Sequence, residues 1–230
     1  MLGSFDFSVI GRSLGFLFLD GLPFTLLLTF LASGFGVVIG TLIALARLGP
    51  VRWLSKLAEG YVNVMRSLPL ILVIFWFYFL VPYVGQWITG SSRPVQVGPF
   101  VSALVTFSLF EAAFFAEIVR AGIGAIARGQ RNAALALGLT PTQAMMFVIL
   151  PQVFRNMLPV LLNQTIVLFL DTSLVYVISI TDFFGAAAKV AERDGRLVEM
   201  YSFAALIYFL IAFGASQFVR RLQARLAIIR

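Results

Sequence analysis

The stretch QRNAALALGLTPTQAMMFVILPQ, residues 130–152, decides how the rest of the chain is read. Residues 133–137 are strong helix formers, and Gly138 is the residue type that ends such a helix in the left-handed conformation at low steric cost. A first helix is therefore predicted to stop near Gly138. Thr140, Pro141 and Gln143 have the layout of an N-cap, a first-turn proline and a capping-box partner, so a second helix is predicted to begin at once. It should end near Leu150, before Pro151. The apolar run 144–150 is too short to cross a bilayer, and Arg128, Arg131 and Arg155 flank the unit with charge. The stretch reads as a bent apolar knuckle outside the hydrocarbon, with a surface that needs a protein groove to cover it.

Around this knuckle the chain is too apolar for a soluble domain. Of its 230 residues, 60% are hydrophobic and 12% charged, which defines an all-α polytopic membrane protein. Five stretches can span the ~30 Å hydrocarbon core at about 20 residues each: 22–46, 68–84, 99–121, 156–180 and 200–219. The second is the shortest and is expected to extend backward toward Val62. With no Cys and no His, disulfides, thiol catalysis, imidazole proton shuttling and Cys- or His-ligated metal sites are excluded, and no metal site is expected.

The net charge of +7 raises the question of nucleic acid, and the position of each charge answers it. Loops 47–67 and 118–155 and the tail from Arg220 carry four Lys or Arg each, twelve of the seventeen. The opposite side has Arg12, Arg93, Lys189, Arg193 and Arg196, offset by Asp6, Asp20, Asp182, Glu192, Asp194 and Glu199. That asymmetry is the positive-inside bias, not a nucleic-acid footprint. It places the N-terminus outside, the C-terminus in the cytoplasm and the 130–152 knuckle on the cytoplasmic side.

The N-terminus lacks the basic lead and small-residue cleavage site of a signal peptide, so the first span is expected to be retained. Phe7, Ile10, Leu14 and Phe18 recur at helical spacing and predict a short interfacial helix before it. Residues 85–98, rich in Gly, Ser and Pro, read as a loop, whereas 181–199 fits a surface or re-entrant helix. No internal repeat, low-complexity tract or linker divides the chain, so residues 1–230 are expected to form one domain.

Gly34, Gly36 and Gly40 are spaced Gly-x-Gly-x-x-x-Gly inside a span, which suits close helix packing through Gly36 and Gly40 rather than a dinucleotide fingerprint. No Gly-x-x-x-x-Gly-Lys-Ser/Thr phosphate loop occurs, so the chain is not its own ATPase. Acidic residues within spans cost roughly 2.5 to 3.5 kcal/mol at a helix centre and mark a pathway or a buried partner. Glu111 lies near the middle of the third span and Asp171 in the outer half of the fourth. Asn163, Val167 and Asp171 share one helical face, with Gln164 beside it and Thr172 and Ser173 following. These six polar residues are candidates for a translocation path, with interhelical hydrogen bonding as the competing role. Glu117 and Arg120, spaced i,i+3, read as an orienting ion pair.

The run Asn132-Ala133-Ala134, Gly138, then Val148 with Leu150-Pro151 resembles the EAA loop of the permease subunits of ATP-binding-cassette importers. In that loop Glu-Ala-Ala is followed at fixed offsets by Gly and by Ile-x-Leu-Pro. Asn132 stands in place of Glu, which removes the carboxylate of an ionic contact, and Val148 in place of Ile, one methylene shorter. The resemblance implies a coupling helix that docks on an ATPase subunit. Further runs are similar to the polar amino acid permeases: Arg66-Ser67-Leu68-Pro69-Leu70, Trp76-Phe77-Tyr78, Glu111-Ala112-Ala113, Glu117-Ile118, Arg120-Ala121-Gly122-Ile123 and Arg155-Asn156-Met157. Asp171-Thr172-Ser173-Leu174-Val175-Tyr176, Asp182-Phe183-Phe184 and Glu192-Arg193-Asp194-Gly195 extend the similarity over nearly the whole chain, most strongly toward importers of glutamate and aspartate. It implies the MetI-like permease fold of five transmembrane helices in the bacterial inner membrane. It also implies a homologous second permease or a second copy of this chain, two ATPase subunits that use ATP and Mg, and an extracytoplasmic amino acid binding protein. No cofactor is implied in this chain itself, and lipid is its surround.

An acidic substrate poses an electrostatic difficulty, since the clearest intramembrane charges are carboxylates. Glu111 or Asp171 can meet the substrate ammonium. Its side-chain carboxylate needs donors from Arg66, Arg120, Thr172, Ser173 or the partner permease, unless selectivity rests in the binding protein. The competing reading is a proton-coupled secondary carrier using Glu111 and Asp171; such carriers commonly show inverted repeats, and none is visible here. A membrane-embedded enzyme has no clustered acid/base set to work with.

Overall fold

The computed structural model describes residues 6–226; residues 1–5 and 227–230, including Arg230 of the basic tail, lie outside it. The described secondary structure is helical throughout. The elements are α1 (Ser8–Gly15), α2 (Leu22–Leu48), α3 (Arg52–Ser67), α4 (Leu70–Phe75), α5 (Val81–Thr89), α6 (Pro99–Gly124), α7 (Arg128–Ala136), α8 (Pro141–Gln143), α9 (Leu150–Asp171), α10 (Phe183–Asp194) and α11 (Leu197–Leu226). Among the described residues, five continuous helical runs are long and apolar enough to cross a membrane: Ser8–Leu48, Leu70–Thr89, Pro99–Gly124, Pro141–Ile178 and Leu197–Leu226. The expected number of spans is thus present.

Three of these runs are spliced by a π-helical turn, at Phe16–Gly21, Trp76–Leu80 and Ala144–Ile149. Each turn is followed by one residue and then a proline: Leu22-Pro23, Val81-Pro82 and Leu150-Pro151. Just ahead of each ring the N–H reaches back five residues, from Leu22 to the Leu17 carbonyl, Val81 to Trp76 and Leu150 to Met145. A proline within a helix has no N–H to give and its ring collides with the carbonyl four residues earlier, at a cost of about 3 kcal/mol or more. Widening the preceding turn moves that carbonyl aside, and the helix continues.

This corrects three sequence expectations. The helix begun at Thr140 does not stop before Pro151, because the π turn absorbs the ring; knuckle and fourth span form one run, Pro141–Ile178. Likewise the N-terminal helix is not separate from the first span but continuous with it through Phe16–Gly21. Its buried face is Val9, Ser13 and Leu17, leaving Phe7 and Leu14 outward. The second span does not extend back toward Val62: Pro69 is extended, with ψ of 129°, and separates α3 from α4, while helix continues forward to Thr89. Loop 47–67 is mostly the amphipathic helix α3.

The chain packs as two compact units, each drawn from three separate segments. The first comprises residues 1–34, 68–108 and 165–215. Its core is Val9, Leu17, Phe169, Phe183, Ala186, Ala187, Val190, Ala191, Met200, Ala204 and Tyr208. The helix expected within 181–199 is α10, whose alanines are wholly buried. Small side chains allow the approach: a Cβ on Gly21 would lie 3.0 Å from Ala186 Cβ and from the Phe183 backbone. Asp182 caps α10 by accepting from the Gly185 and Phe184 N–H groups at 2.7 and 3.2 Å. Tyr208 donates to the same carboxylate at 3.1 Å, and the Phe183 N–H donates to Thr25 Oγ1 at 2.9 Å.

The second unit comprises residues 35–67, 109–164 and 216–230, with a core of Ala44, Val62, Ala113, Phe115, Ala116, Val119, Ile149, Val153, Met157 and Leu161. Here α2 lies against α6 through the two glycines singled out by their spacing. A Cβ on Gly36 would meet the Phe115 ring at 3.0 Å, and one on Gly40 would come within 2.7 Å of the Ala112 carbonyl oxygen. Gly34 faces open space, so the pair that packs is Gly36 and Gly40.

Candidate functional site

The knuckle has the predicted local chemistry. Gly138 has φ of 86° and its N–H donates to the Leu135 carbonyl at 3.0 Å, while the Leu139 N–H donates to Ala134 at 3.2 Å. This is a Schellman ending, which satisfies two carbonyls that the helix end would leave free. The capping box is complete: the Gln143 N–H donates to Thr140 Oγ1 at 3.3 Å, and the Thr140 N–H to Gln143 Oε1 at 2.9 Å. Gln152 Nε2 donates to the Val148 carbonyl at 2.8 Å and to Gln130 Oε1 at 3.4 Å, pinning the return of the hairpin to its start.

The hairpin holds itself together with little and presents much. Ala134 and Ala144 are buried and Val148 is half-buried, whereas Asn132, Ala133, Gly138, Leu150 and Pro151 are exposed. Leu137 is 84% and Phe147 71% exposed, with Met145 and Met146 beside them. Arg131, Pro141, Thr142, Met145, Met146 and Ile149 line a cleft of about 350 Å³. Methionine-lined, adaptable apolar surface of this kind is suited to a protein partner.

Behind the hairpin, Glu117 of α6 accepts from Arg47 Nη1 of α2 at 2.6 Å and from the Arg120 guanidinium one turn along. The i,i+3 pair read from the sequence is therefore a triad, and Arg47 is the member that sequence spacing missed, being seventy positions away from Glu117. At 13% exposure Arg47 is well shielded, so the triad is stronger than a surface ion pair. It fixes the end of α2 to the end of α6, four residues before α7 begins. Arg120 is thereby committed to Glu117, and Arg66 lies over the Phe114 ring at 5.6 Å.

The six intramembrane polar candidates divide into two sets. Glu111 is 1% exposed and accepts from Gln164 Nε2 at 3.0 Å, tying α6 to α9. Thr172 is buried and Ser173 half-buried, with hydroxyls donating to the Phe169 and Leu170 carbonyls, both at 2.7 Å. Asn163 and Val167 are exposed and Asp171 half-buried, on the face of α9 that the spacing predicted. Beyond Asp171 the helix tightens to a 3₁₀ segment, Thr172–Ile178, closed by Ser179 in the left-handed region at φ 62°. Tyr176 donates to Glu192 Oε1 at 2.8 Å, linking this segment to α10. Among the described residues no group of three or more carboxylates, Cys or His is arranged to hold a metal ion.

An exposed, capped hairpin that leads straight into a membrane-crossing helix bearing polar groups suits the membrane component of a transporter. Residues 36–228 match the family described as binding-protein-dependent transport system inner membrane component, and the chain belongs to that family. It is 51% identical to the glutamate/aspartate import permease protein GltK of Escherichia coli O157:H7, over 97% of this chain and 99% of that one. The glutamine transport system permease protein GlnP of Escherichia coli strain K12 is 32% identical, over 98% and 99%. Among solved structures, the crystal structure of an amino acid ABC transporter with histidines has a TM-score of 0.86 at 32% identity, over 96% of this chain and 99% of that one. An inward-facing MetNI methionine ABC transporter has a TM-score of 0.66 at 24% identity, over 90% and 96%, a likeness of fold. The chain is thus a multi-pass inner-membrane permease subunit with the expected MetI-like fold, and hydrolysis of ATP belongs to a separate subunit.

Proposed function

We propose that residues 1–230 act as one permease domain of an ATP-driven importer for acidic amino acids, glutamate and aspartate, delivered by an extracytoplasmic binding protein. The observation that supports this substrate is the 51% identity, over almost the full length of both chains, to a glutamate/aspartate import permease. The partners are a second permease, homologous or identical to this chain, and two ATPase subunits that bind ATP and Mg. Asn132, Ala133, Ala134, Gly138, Val148, Leu150 and Pro151 frame the hairpin that enters the ATPase groove, with Leu137, Met146 and Phe147 as its apolar contact. Family membership disfavours a proton-coupled carrier, and the engagement of Glu111 by Gln164 agrees with that.

In this reading Asn163 and Asp171 border the substrate path, while Glu111, Gln164, Thr172 and Ser173 hold the helices that shape it. Asp171→Asn keeps size and most hydrogen bonding while removing charge. In proteoliposomes containing the complete transporter, binding protein and ATP, glutamate uptake is expected to fall at least tenfold at equal abundance. The affinity of the binding protein stays unchanged. Normal uptake by Asp171→Asn, with Asp171→Leu failing to assemble, would remove the residue from the path. Failure of the wild type to take up glutamate or aspartate while importing another amino acid would overturn the substrate assignment.

A further inference from the structure

The cytoplasmic ends of α9 and α11 enclose a second cleft, of about 180 Å³, lined by Arg155, Asn156, Pro159, Gln223 and Leu226. Three of the five side chains bring N–H donors and none is acidic. Arg155 is exposed, and its side chain makes no hydrogen bond or ion pair with another described residue. On α9 and α11 themselves the charge beside the cleft is positive. Arg220, Arg221 and Arg225 are exposed on the same stretch of α11. The carboxylate of α9, Asp171, is sixteen residues from Arg155, or about 24 Å along the helix. That of α11, Glu199, lies at the other end of its helix. Pro159 and Leu226 make the remaining wall apolar.

We propose that this cleft binds the phosphate headgroup of an anionic phospholipid of the cytoplasmic leaflet. Arg155 meets the phosphate by charge-assisted hydrogen bonds, Asn156 and Gln223 donate to its ester or glycerol oxygens, and Pro159 and Leu226 receive the start of the acyl chains. Basic pockets between membrane helices on the cytoplasmic side suit this ligand because the leaflet presents it at that depth and the surface potential concentrates it. The positive-inside bias alone needs only cations near the membrane surface. A donor-lined cleft with an apolar wall is a more specific feature than that bias requires.

The test uses the complete transporter, delipidated in detergent and titrated with fluorescent phosphatidylglycerol or phosphatidylcholine of equal chain length. Phosphatidylglycerol is expected to bind more tightly. Arg155→Gln should weaken it about tenfold or more, the weight of one charge-assisted hydrogen bond, and weaken phosphatidylcholine less, because choline already offsets the charge of that phosphate. Gln223→Leu, which alters the opposite wall and keeps every positive charge, should weaken it several-fold and serves if Arg155→Gln fails to assemble. Glycerol phosphate at equal concentration should not displace the lipid, because it has no acyl chains. Equal affinity for the two lipids, unchanged affinity in the variants, or displacement by glycerol phosphate overturns the proposal. Loss of the ATPase subunit from Arg155→Gln with lipid binding intact overturns it as well, assigning the cleft to a protein contact.

Discussion

Asp182 shows how much one side chain can do at a junction. It caps α10, receives the Tyr208 hydroxyl and is fully buried. Burial raises its carboxyl to about 6, against the lowering effect of its hydrogen bonds to Gly185, Phe184 and Tyr208. The folded state therefore binds its proton more tightly than the unfolded chain, whose carboxyl titrates near 3.8. The contribution of Asp182 to stability is fully present below that value and is lost as pH rises through about 6, by roughly 3 kcal/mol in all. Asn also caps helices and does not titrate in this range. Thermal unfolding of the purified protein between pH 4 and 7.5 should show a downward slope that Asp182→Asn flattens. An identical slope in the variant would remove Asp182 as its source. The sequence marked Asp182 only as part of a resemblance and a charge count. Its long-range partner Tyr208 is 26 positions away, a separation over which no local spacing speaks.

Elements were legible where their chemistry is local. The Schellman ending at Gly138 and the box between Thr140 and Gln143 each involve residues within five positions, and both form as read. Gly138→Asp places a side chain at φ 86°, where it strains the turn and crowds whatever covers the knuckle. Transport and ATPase stimulation by loaded binding protein should drop at least tenfold with the transporter still assembled; normal uptake would cancel the coupling role. Gly40→Leu acts on packing instead, since even a Cβ there falls 2.7 Å from a backbone oxygen that cannot yield. Folded protein recovered from the membrane should fall several-fold, and full recovery would contradict the close approach of α2 and α6. Where the element reading failed, at Pro151 and before Pro23, the proline itself was visible. What it lacked was the π turn that accommodates it, a backbone adjustment with no side-chain signature of its own.

At the scale of the whole molecule, orientation follows from charge and can be tested directly. Single cysteines at Ser91 and Gly195 should react with an impermeant thiol reagent from outside, and one at Gln130 should not; no native Cys interferes. Labelling of Gln130 in intact cells would invert the topology. By itself the sequence determined the membrane class, the five spans, the charge asymmetry and the knuckle, because each depends on composition or on neighbours within one or two helical turns. Tertiary structure decided which polar residues are spent on the fold and which stay available. Glu111 goes to Gln164, Glu117 to Arg47 and Arg120, and Asp182 to Tyr208, while Asn163 and Arg155 remain exposed. The reason is physical: a buried polar group must find a partner, and the partner is set by which helices meet in space, a distance of a few ångströms that separates residues by dozens of positions along the chain.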